Sequence, residues 1–269
     1  MKWLLGGAVA AIFAAVAFGN FFDFDFKTLR AEAVSTANAK AADKAASRAA
    51  NAAVKVDLTP EQEKKAQERT EGNVNAPVQM YEFSSFTCSH CAHFHLNAMP
   101  NLQKYIDSGD LVVYFKDIFM DKRAASATLL TRCIADNNAY WKFVKMLFET
   151  QNQWAFSMDY EKNLLNYASM QGLDRETAKA CMEDKTLLKA LVAKRDGYAS
   201  TFSIMGTPTI ILAYDGKTEH INHANDGQYI ADKIDEILKA KKSAALNEEK
   251  AENPAENSAP VVTETGVAE

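Results

Sequence analysis

Residues 78–95 read VQMYEFSSFTCSHCAHFH, a short apolar and aromatic run followed by two cysteines and three of the chain's five histidines. The first six letters have the β-branched and aromatic content of a β-strand. The sequence from Ala92 to Ile106 favours a helix, which Pro100 is expected to kink or divide. Cys88 and Cys91 are therefore predicted to lie where a strand ends and a helix begins.

This cluster of cysteines and histidines has two chemical interpretations. Unsatisfied N–H groups and the helix dipole favour a thiolate at a helix start, and the two-residue spacing suits a disulfide that opens with little backbone movement. Cys88, His90, Cys91, His93 and His95 also include enough ligands for zinc or copper. A helix would make His90 and Cys91 diverge, however, and no second ligand pair occurs at the spacing of a metal site. We therefore predict thiol chemistry and no metal, with a metal-binding envelope protein as the alternative.

Composition limits what surrounds the cluster. The chain has 269 residues, of which 48% are hydrophobic and 24% charged, enough for one substantial core with flanking segments. Its 30 basic and 35 acidic residues give a net charge of -5. This balance gives no reason to expect nucleic acid as a partner.

The N-terminal segment is apolar. No residue from Trp3 to Phe22 is charged, and Lys2 precedes the run. About 20 such residues can cross a bilayer as a helix, and the lysine favours an N-terminus on the inner side. We predict that residues 1–26 are a signal peptide or a membrane anchor, the anchor being residues 3–22. Either outcome places the remaining chain outside the cytoplasm, where disulfides persist.

Two polar flanks bound the globular part. Residues 27–72 are rich in alanine and in alternating charges but lack a regular apolar spacing, which predicts a solvated, partly helical spacer. An oligomerising stalk is the alternative, although no sustained heptad is visible. Residues 242–269 are acidic, polar and proline-containing, which predicts a disordered tail. The folded domain is therefore expected at 73–241.

The order of elements in this domain follows from the pattern. After the first strand and helix, LVVYFK at 111–116 predicts a second strand, so that the three elements form a βαβ unit. Helical periodicity, clearest in AYWKFVKMLFET at 139–150, then fills about 118–200. Two short strands follow around Asp215-Gly216, a hairpin turn, before a last helix. The predicted order is β, α, β, helical insertion, β, β, α.

The residues from Glu82 to Cys91, EFSSFTCSHC, together with GTPT at 206–209, resemble the bacterial periplasmic DsbA-type thiol-disulfide oxidoreductases. The resemblance covers 73–241 and implies an α/β thioredoxin fold with an inserted all-helical subdomain. It implies that Cys88 is an exposed nucleophile and Cys91 a buried resolving cysteine, and that no cofactor is needed.

The resemblance extends to further residues. It implies that Pro208 is a cis proline beside the disulfide and that Thr207 offers backbone groups to a substrate peptide. Glu82 matches a buried acid that relays a proton during exchange; the alternative is a strand residue that faces solvent. His90, between the cysteines, can donate a hydrogen bond or positive charge to the Cys88 thiolate and so lower its pKa.

Five further residues are expected to have structural roles or no role in catalysis. Cys133 and Cys181 are expected to form a structural disulfide in an exported chain, the alternative being two buried free thiols. Lys116 is not expected to pair with Glu82. His93 and His95 are expected to be surface residues that flank the active site, or to cover it in part.

Together these features predict a thiol-disulfide oxidoreductase of the bacterial periplasm. The leading interpretation is an oxidase that introduces disulfides into exported proteins. Its expected partners are unfolded or reduced exported polypeptides and a membrane redox partner of the DsbB type. Two departures keep an isomerase or reductase as alternatives. Ser-His rather than Pro-His separates the cysteines, and Thr207 precedes the proline where the best-known oxidases have valine.

Overall fold

The computed structural model describes residues 56–252, with side chains as far as residue 247. The predicted signal or anchor segment 1–26 lies outside the described residues, as do the spacer before residue 56 and the tail after residue 252. Within residues 56–252, no helix is both long and apolar enough to cross a membrane.

Five strands form one mixed sheet in the order β1-β3-β2-β4-β5. The strands are β1 (Arg69–Gly72), β2 (Val78–Ser84), β3 (Leu111–Asp117), β4 (Thr209–Tyr214) and β5 (Lys217–Ile221). The central pair, β2 and β3, is parallel, and the other three pairs are antiparallel. Asp215 and Gly216 both have positive φ, 44° and 73°, as a two-residue hairpin turn between β4 and β5 requires.

Helices cover both faces of this sheet. They are α1 (Pro60–Lys65), α2 (Ser89–His93), a π-helical turn (Phe94–Ala98), α3 (Met99–Asp107), α4 (Lys122–Cys133), α5 (Asn137–Glu149), α6 (Gln151–Trp154), α7 (Tyr160–Met170), α8 (Arg175–Glu183), α9 (Lys185–Thr201) and α10 (Gly227–Glu252). Pro100 lies at the start of α3, directly after the π-helical turn, where the hydrogen-bond pattern of the helix changes. The predicted order of elements is confirmed, and the six helices α4 to α9 form the predicted insertion between β3 and β4.

The alternation of side chains along β2 separates two parts of the core. Val78 and Met80 pack against α3 and α10, whereas Phe83 points to the other face and contacts Tyr198 of α9. A third cluster fills the space between the sheet and the insertion, and Cys91 lies in it. The C-terminal end of β2 therefore lies where the sheet, α2 and the insertion meet.

The folded domain is longer at both ends than the boundaries 73 and 241 predicted from sequence. Residues Arg69–Gly72, placed in the spacer, pair antiparallel with β3. Their sequence, RTEG, carries no alternating apolar pattern. This edge strand is held instead by backbone pairing with β3. At the other end α10 continues to Glu252, since residues 242–252 are rich in the helix formers Ala, Leu, Glu and Lys.

Candidate active site

Cys88 and Cys91 lie at the junction of β2 and α2. Cys88 is the N-cap of α2, with extended backbone angles, and its carbonyl accepts hydrogen bonds from the N–H groups of Cys91 and Ala92, both at 3.1 Å. Cys88 is half-buried, whereas Cys91 is 0% exposed. The two thiols therefore differ in access although only two residues separate them.

The surroundings of Cys88 favour its thiolate. The hydrogen bond from the Cys91 thiol is the largest cause, and the backbone N–H groups of Cys91 and His90 add to it against the cost of burial. The Thr207 hydroxyl acts in the same direction, whereas the Thr207 carbonyl, 3.3 Å from Sγ, accepts from the protonated thiol. The net result lowers the pKa of Cys88 to about 5.

The surroundings of Cys91 have the opposite effect. Burial is the largest cause that raises the pKa of the Cys91 thiol, and its hydrogen bond to Cys88 adds to the rise. The N–H of Ser85 approaches Cys91 Sγ at 3.5 Å, and the Ser84 hydroxyl also contacts it; both oppose the rise without reversing it. Cys91 is therefore a thiol at pH values where Cys88 is a thiolate.

The peptide bond between Thr207 and Pro208 is cis. It directly precedes β4, which pairs with β2, and so lies beside the end of the strand that leads to Cys88. The 3.3 Å contact between Cys88 Sγ and the Thr207 carbonyl brings together two segments 119 residues apart.

Gln151, which sequence reasoning missed, ties the cysteine segment to the insertion. Its buried side chain donates hydrogen bonds of 2.9 Å to the carbonyls of both Phe86 and Cys88. Thr87 makes a second connection, because its hydroxyl donates to the carboxylate of Asp121 at 2.6 Å. No local pattern marks Gln151 for this role, since its partners lie more than 60 residues away.

His90 lies in the first turn of α2 with an exposed side chain. Its backbone N–H contributes to the lowered pKa of Cys88. The predicted effect of the His90 ring on the Cys88 thiolate stays a prediction, and the side chain is exposed.

Glu82 is 0% exposed, and its partner is His95. Glu82 Oε1 lies 2.7 Å from His95 Nε2, and the histidine side chain is only 6% exposed. The prediction of His95 as a surface residue is therefore wrong. A buried carboxyl group needs a partner, and His95 lies four residues after Cys91, on the same side of the helix. The need of a buried Glu82 for a partner and the four-residue spacing from Cys91 could together have identified His95 from the sequence.

Lys116 and His93 lie elsewhere. Lys116 is buried, but its ammonium group pairs with Glu68 and lies near three tyrosine rings, so it does not serve Glu82. His93 is exposed and contacts the Asn97 side chain. Within the described part of the chain, no three His, Cys, Asp or Glu side chains are grouped so that they could hold a metal ion.

The remaining cysteines are joined to each other. Cys133, the last residue of α4, and Cys181 in α8 form a disulfide with an S–S distance of 2.00 Å. The bond links two helices of the insertion. Cys88 and Cys91 are the two free cysteines among the described residues.

Two unlike thiols at a strand–helix junction, facing a cis proline, place this fold in the class of thioredoxin-like proteins with a redox-capable cysteine pair. The family model described as Thioredoxin matches residues 64–232. The chain therefore belongs to the thioredoxin family.

Two solved structures show which thioredoxin-like proteins this chain resembles. The chain is similar to alpha-DsbA1 of Wolbachia pipientis, with 25% identity, a TM-score of 0.59, and coverage of 66% of this chain and 94% of the other. It is also similar to oxidised BdbD of Bacillus subtilis, with 26% identity, a TM-score of 0.57, and coverage of 70% and 98%. The resemblance to DsbA-type proteins and the predicted thioredoxin fold with a helical insertion are confirmed.

A curated relative has a name that describes enzyme chemistry. It is a Rickettsia felis protein, provisionally named a protein-disulfide oxidoreductase, which is 29% identical over 182 residues. The match covers 66% of this chain and 62% of the relative, so the chain spans less than two thirds of the length of that protein.

Proposed function

We propose that this protein is a thiol-disulfide oxidoreductase and that it works as an oxidase, introducing disulfides into reduced exported polypeptides. The observation that carries the proposal is the contrast between the two sulfurs, one half-buried with a pKa of about 5 and the other fully buried with a raised pKa. The names of the relatives support the same chemistry.

The proposed reaction begins with the oxidised Cys88–Cys91 pair. A substrate thiolate attacks Cys88 Sγ, the bond between the two enzyme sulfurs breaks, and Cys91 leaves as a thiolate that takes up one proton. A second substrate thiolate then attacks the substrate sulfur of the mixed disulfide, and Cys88 leaves as a thiolate. Two electrons pass from the substrate to the enzyme, and the substrate gains one disulfide.

The low pKa of Cys88 supports the oxidase direction. A stabilised thiolate leaves readily and favours the reduced enzyme, which makes the oxidised enzyme the stronger oxidant. Burial of Cys91 keeps that sulfur away from a bulky substrate, so attack falls on Cys88.

Three further residues have proposed roles in this reaction. Thr207 and Pro208 bind an extended substrate segment beside Cys88, which the 3.3 Å contact between Cys88 Sγ and the Thr207 carbonyl supports. Glu82 relays the proton that Cys91 takes up or releases, a role supported by its complete burial in β2, the strand that leads to the cysteine pair.

The proposed setting is the bacterial periplasm, where residues 3–22 would form a tether if they are retained. A membrane redox partner of the DsbB type would reoxidise the enzyme there, and the spacer before the domain would be the route to any oligomer. The disulfide between Cys133 and Cys181 supports an oxidising compartment.

The test is the equilibrium of the Cys88–Cys91 pair against a glutathione buffer, read by thiol alkylation, with insulin reduction assayed in parallel. Thioredoxin-fold oxidants have potentials of about −120 mV and reductants about −270 mV. A value near the first with poor insulin reduction supports the oxidase. A value near the second overturns it in favour of a reductase, and efficient reshuffling of scrambled disulfides would indicate an isomerase.

A further inference from the structure

His95 and Glu82 form a buried pair, and the proposed reaction gives no role to His95. The His95 ring stacks on Phe148 with a centroid separation of 4.2 Å, and its Nε2 lies 2.7 Å from Glu82 Oε1. The other carboxyl oxygen, Glu82 Oε2, is buried and has no hydrogen-bond partner among the described residues. The carboxyl group therefore has one oxygen engaged by the histidine and one available.

The available oxygen lies on the side of the sheet that carries the buried sulfur. Glu82 and Ser84 point to the same face of β2, because strand side chains alternate. The Ser84 hydroxyl contacts Cys91. His95 follows Cys91 by four residues, so the pair and the thiol share one helix side and one strand face.

On its other side, His95 lines a cavity of about 620 Å³, here called the back pocket. Glu71 of β1, Gln103 of α3, and Trp141 and Lys145 of α5 are among its other walls. Gln103 and Lys145 are exposed, so the back pocket opens to the surface. His95 thus stands between the buried carboxyl group and solvent, away from Cys88.

We propose that His95 is a positioning residue that passes protons between Glu82 and solvent through the back pocket, so that Cys91 can change its protonation state while a substrate covers Cys88. This inference rests on the proposed function. A bound polypeptide at Thr207 and Pro208 would block the route past Cys88, whereas the back pocket stays open.

The proton balance is as follows. When the disulfide opens, the Cys91 thiolate receives one proton from the Glu82 carboxyl group through a water molecule. Glu82 recovers a proton from His95 Nε2 across the 2.7 Å contact, and the imidazole takes one from water in the back pocket. The reverse sequence serves Cys91 when the disulfide closes, and no electrons move in these steps.

Charged and titratable groups from two other elements face the pair. Burial raises the pKa of the Glu71 carboxyl group, and the nearby His95 opposes this rise. Lys142 and Lys145 of α5 line the same pocket, and the phenol of Tyr140 interacts with Glu82. These groups are the charged and titratable neighbours of the pair.

The test compares His95→Gln with the matched control His93→Gln in the full chain. The rate at which the oxidised protein oxidises a reduced two-cysteine peptide is measured from pH 5 to 8, with the glutathione equilibrium measured alongside. General acid–base catalysis contributes roughly 10²- to 10⁴-fold, so His95→Gln should lower the rate by at least about tenfold and flatten its pH profile. The equilibrium should stay close to that of the unaltered protein, and His93→Gln should leave both unchanged.

A second variant, Glu71→Gln, keeps the inference falsifiable if His95→Gln does not fold. Removing a negative charge near the imidazolium disfavours it, so the pH profile should move to lower pH. An unchanged profile in Glu71→Gln, or in folded His95→Gln, overturns the inference while the proposed function stands. Absence of exchange by the unaltered protein overturns the proposed function and this inference together.

Discussion

The protein holds two pairs of cysteines whose surroundings are opposite in kind. Cys88 and Cys91 are three positions apart at a helix start, with backbone N–H groups and a cis proline around them. Cys133 and Cys181 are 48 residues apart and join two helices of the insertion. The comparison teaches that the chemistry of a cysteine follows from its position: the Cys91 thiol and the backbone N–H groups of the helix start favour a thiolate at Cys88, whereas Cys133 and Cys181 cross-link two helices.

Cys88→Ser should have the largest effect on exchange and should abolish it, because only Cys88 is both accessible and readily ionised. Oxidation of a reduced two-cysteine peptide is the measurement. Cys91→Ser should instead trap a mixed disulfide when the peptide is supplied in its disulfide form, because the Cys88 thiolate attacks that disulfide, one peptide sulfur leaves as a thiolate, and no Cys91 thiol remains to release the peptide; mass spectrometry detects the product. Exchange by Cys88→Ser at the normal rate would show that the attacked sulfur has been misassigned.

Replacing both Cys133 and Cys181 with alanine should leave exchange intact but lower the free energy of unfolding. The chain-entropy model gives about 4 kcal/mol for a loop of this length. Urea unfolding monitored by circular dichroism measures the loss. If peptide oxidation disappeared in a folded double variant, the separation between a reactive pair and a structural pair would fail.

Gln151→Ala connects the two regions and should have an intermediate effect. It leaves the carbonyls of Phe86 and Cys88 without their shared donor, which costs about 1–3 kcal/mol of unfolding free energy. Asn152→Ala, the exposed next residue, is the matched control and should have little effect. Equal stability of the two variants would mean that the insertion does not hold the cysteine segment in this way.

His90→Ala should have the smallest effect. Alanine keeps the backbone N–H, and the ring is exposed, so the pKa of Cys88 should move by less than about one unit. Alkylation rates at several pH values measure the shift. A larger rise in the pKa would mean that the imidazole itself stabilises the thiolate.

Much of the fold could be predicted because its signals are local. The strands β2 and β3 carry strong β-branched and aromatic runs, Asp215-Gly216 marks a hairpin, and the cysteine spacing marks the strand–helix junction. The edge strand β1 could not be predicted, since its four residues are held by pairing rather than by an apolar pattern.

The two reactive cysteines could be predicted from the sequence, whereas the residues that contact and hold them could not. Only two residues separate Cys88 from Cys91, whereas Gln151 reaches Cys88 only after the insertion folds back. The histidines show the same limit: His90 lies between the cysteines but presents its ring to solvent, and His95 is buried against Glu82. Proximity in sequence to a reactive residue does not reveal which side of a helix faces the core.

The measurement that tests the central contrast most directly is the pH dependence of alkylation in the reduced protein, with each cysteine followed by peptide mass. A lowered pKa makes Cys88 reactive above about pH 5, where its thiolate forms, whereas burial raises the pKa of Cys91 and keeps it a thiol there. Half-maximal alkylation of Cys88 near pH 5, with Cys91 unmodified, is the predicted result. A midpoint near the unperturbed value of about 8.5 for Cys88 would contradict the account.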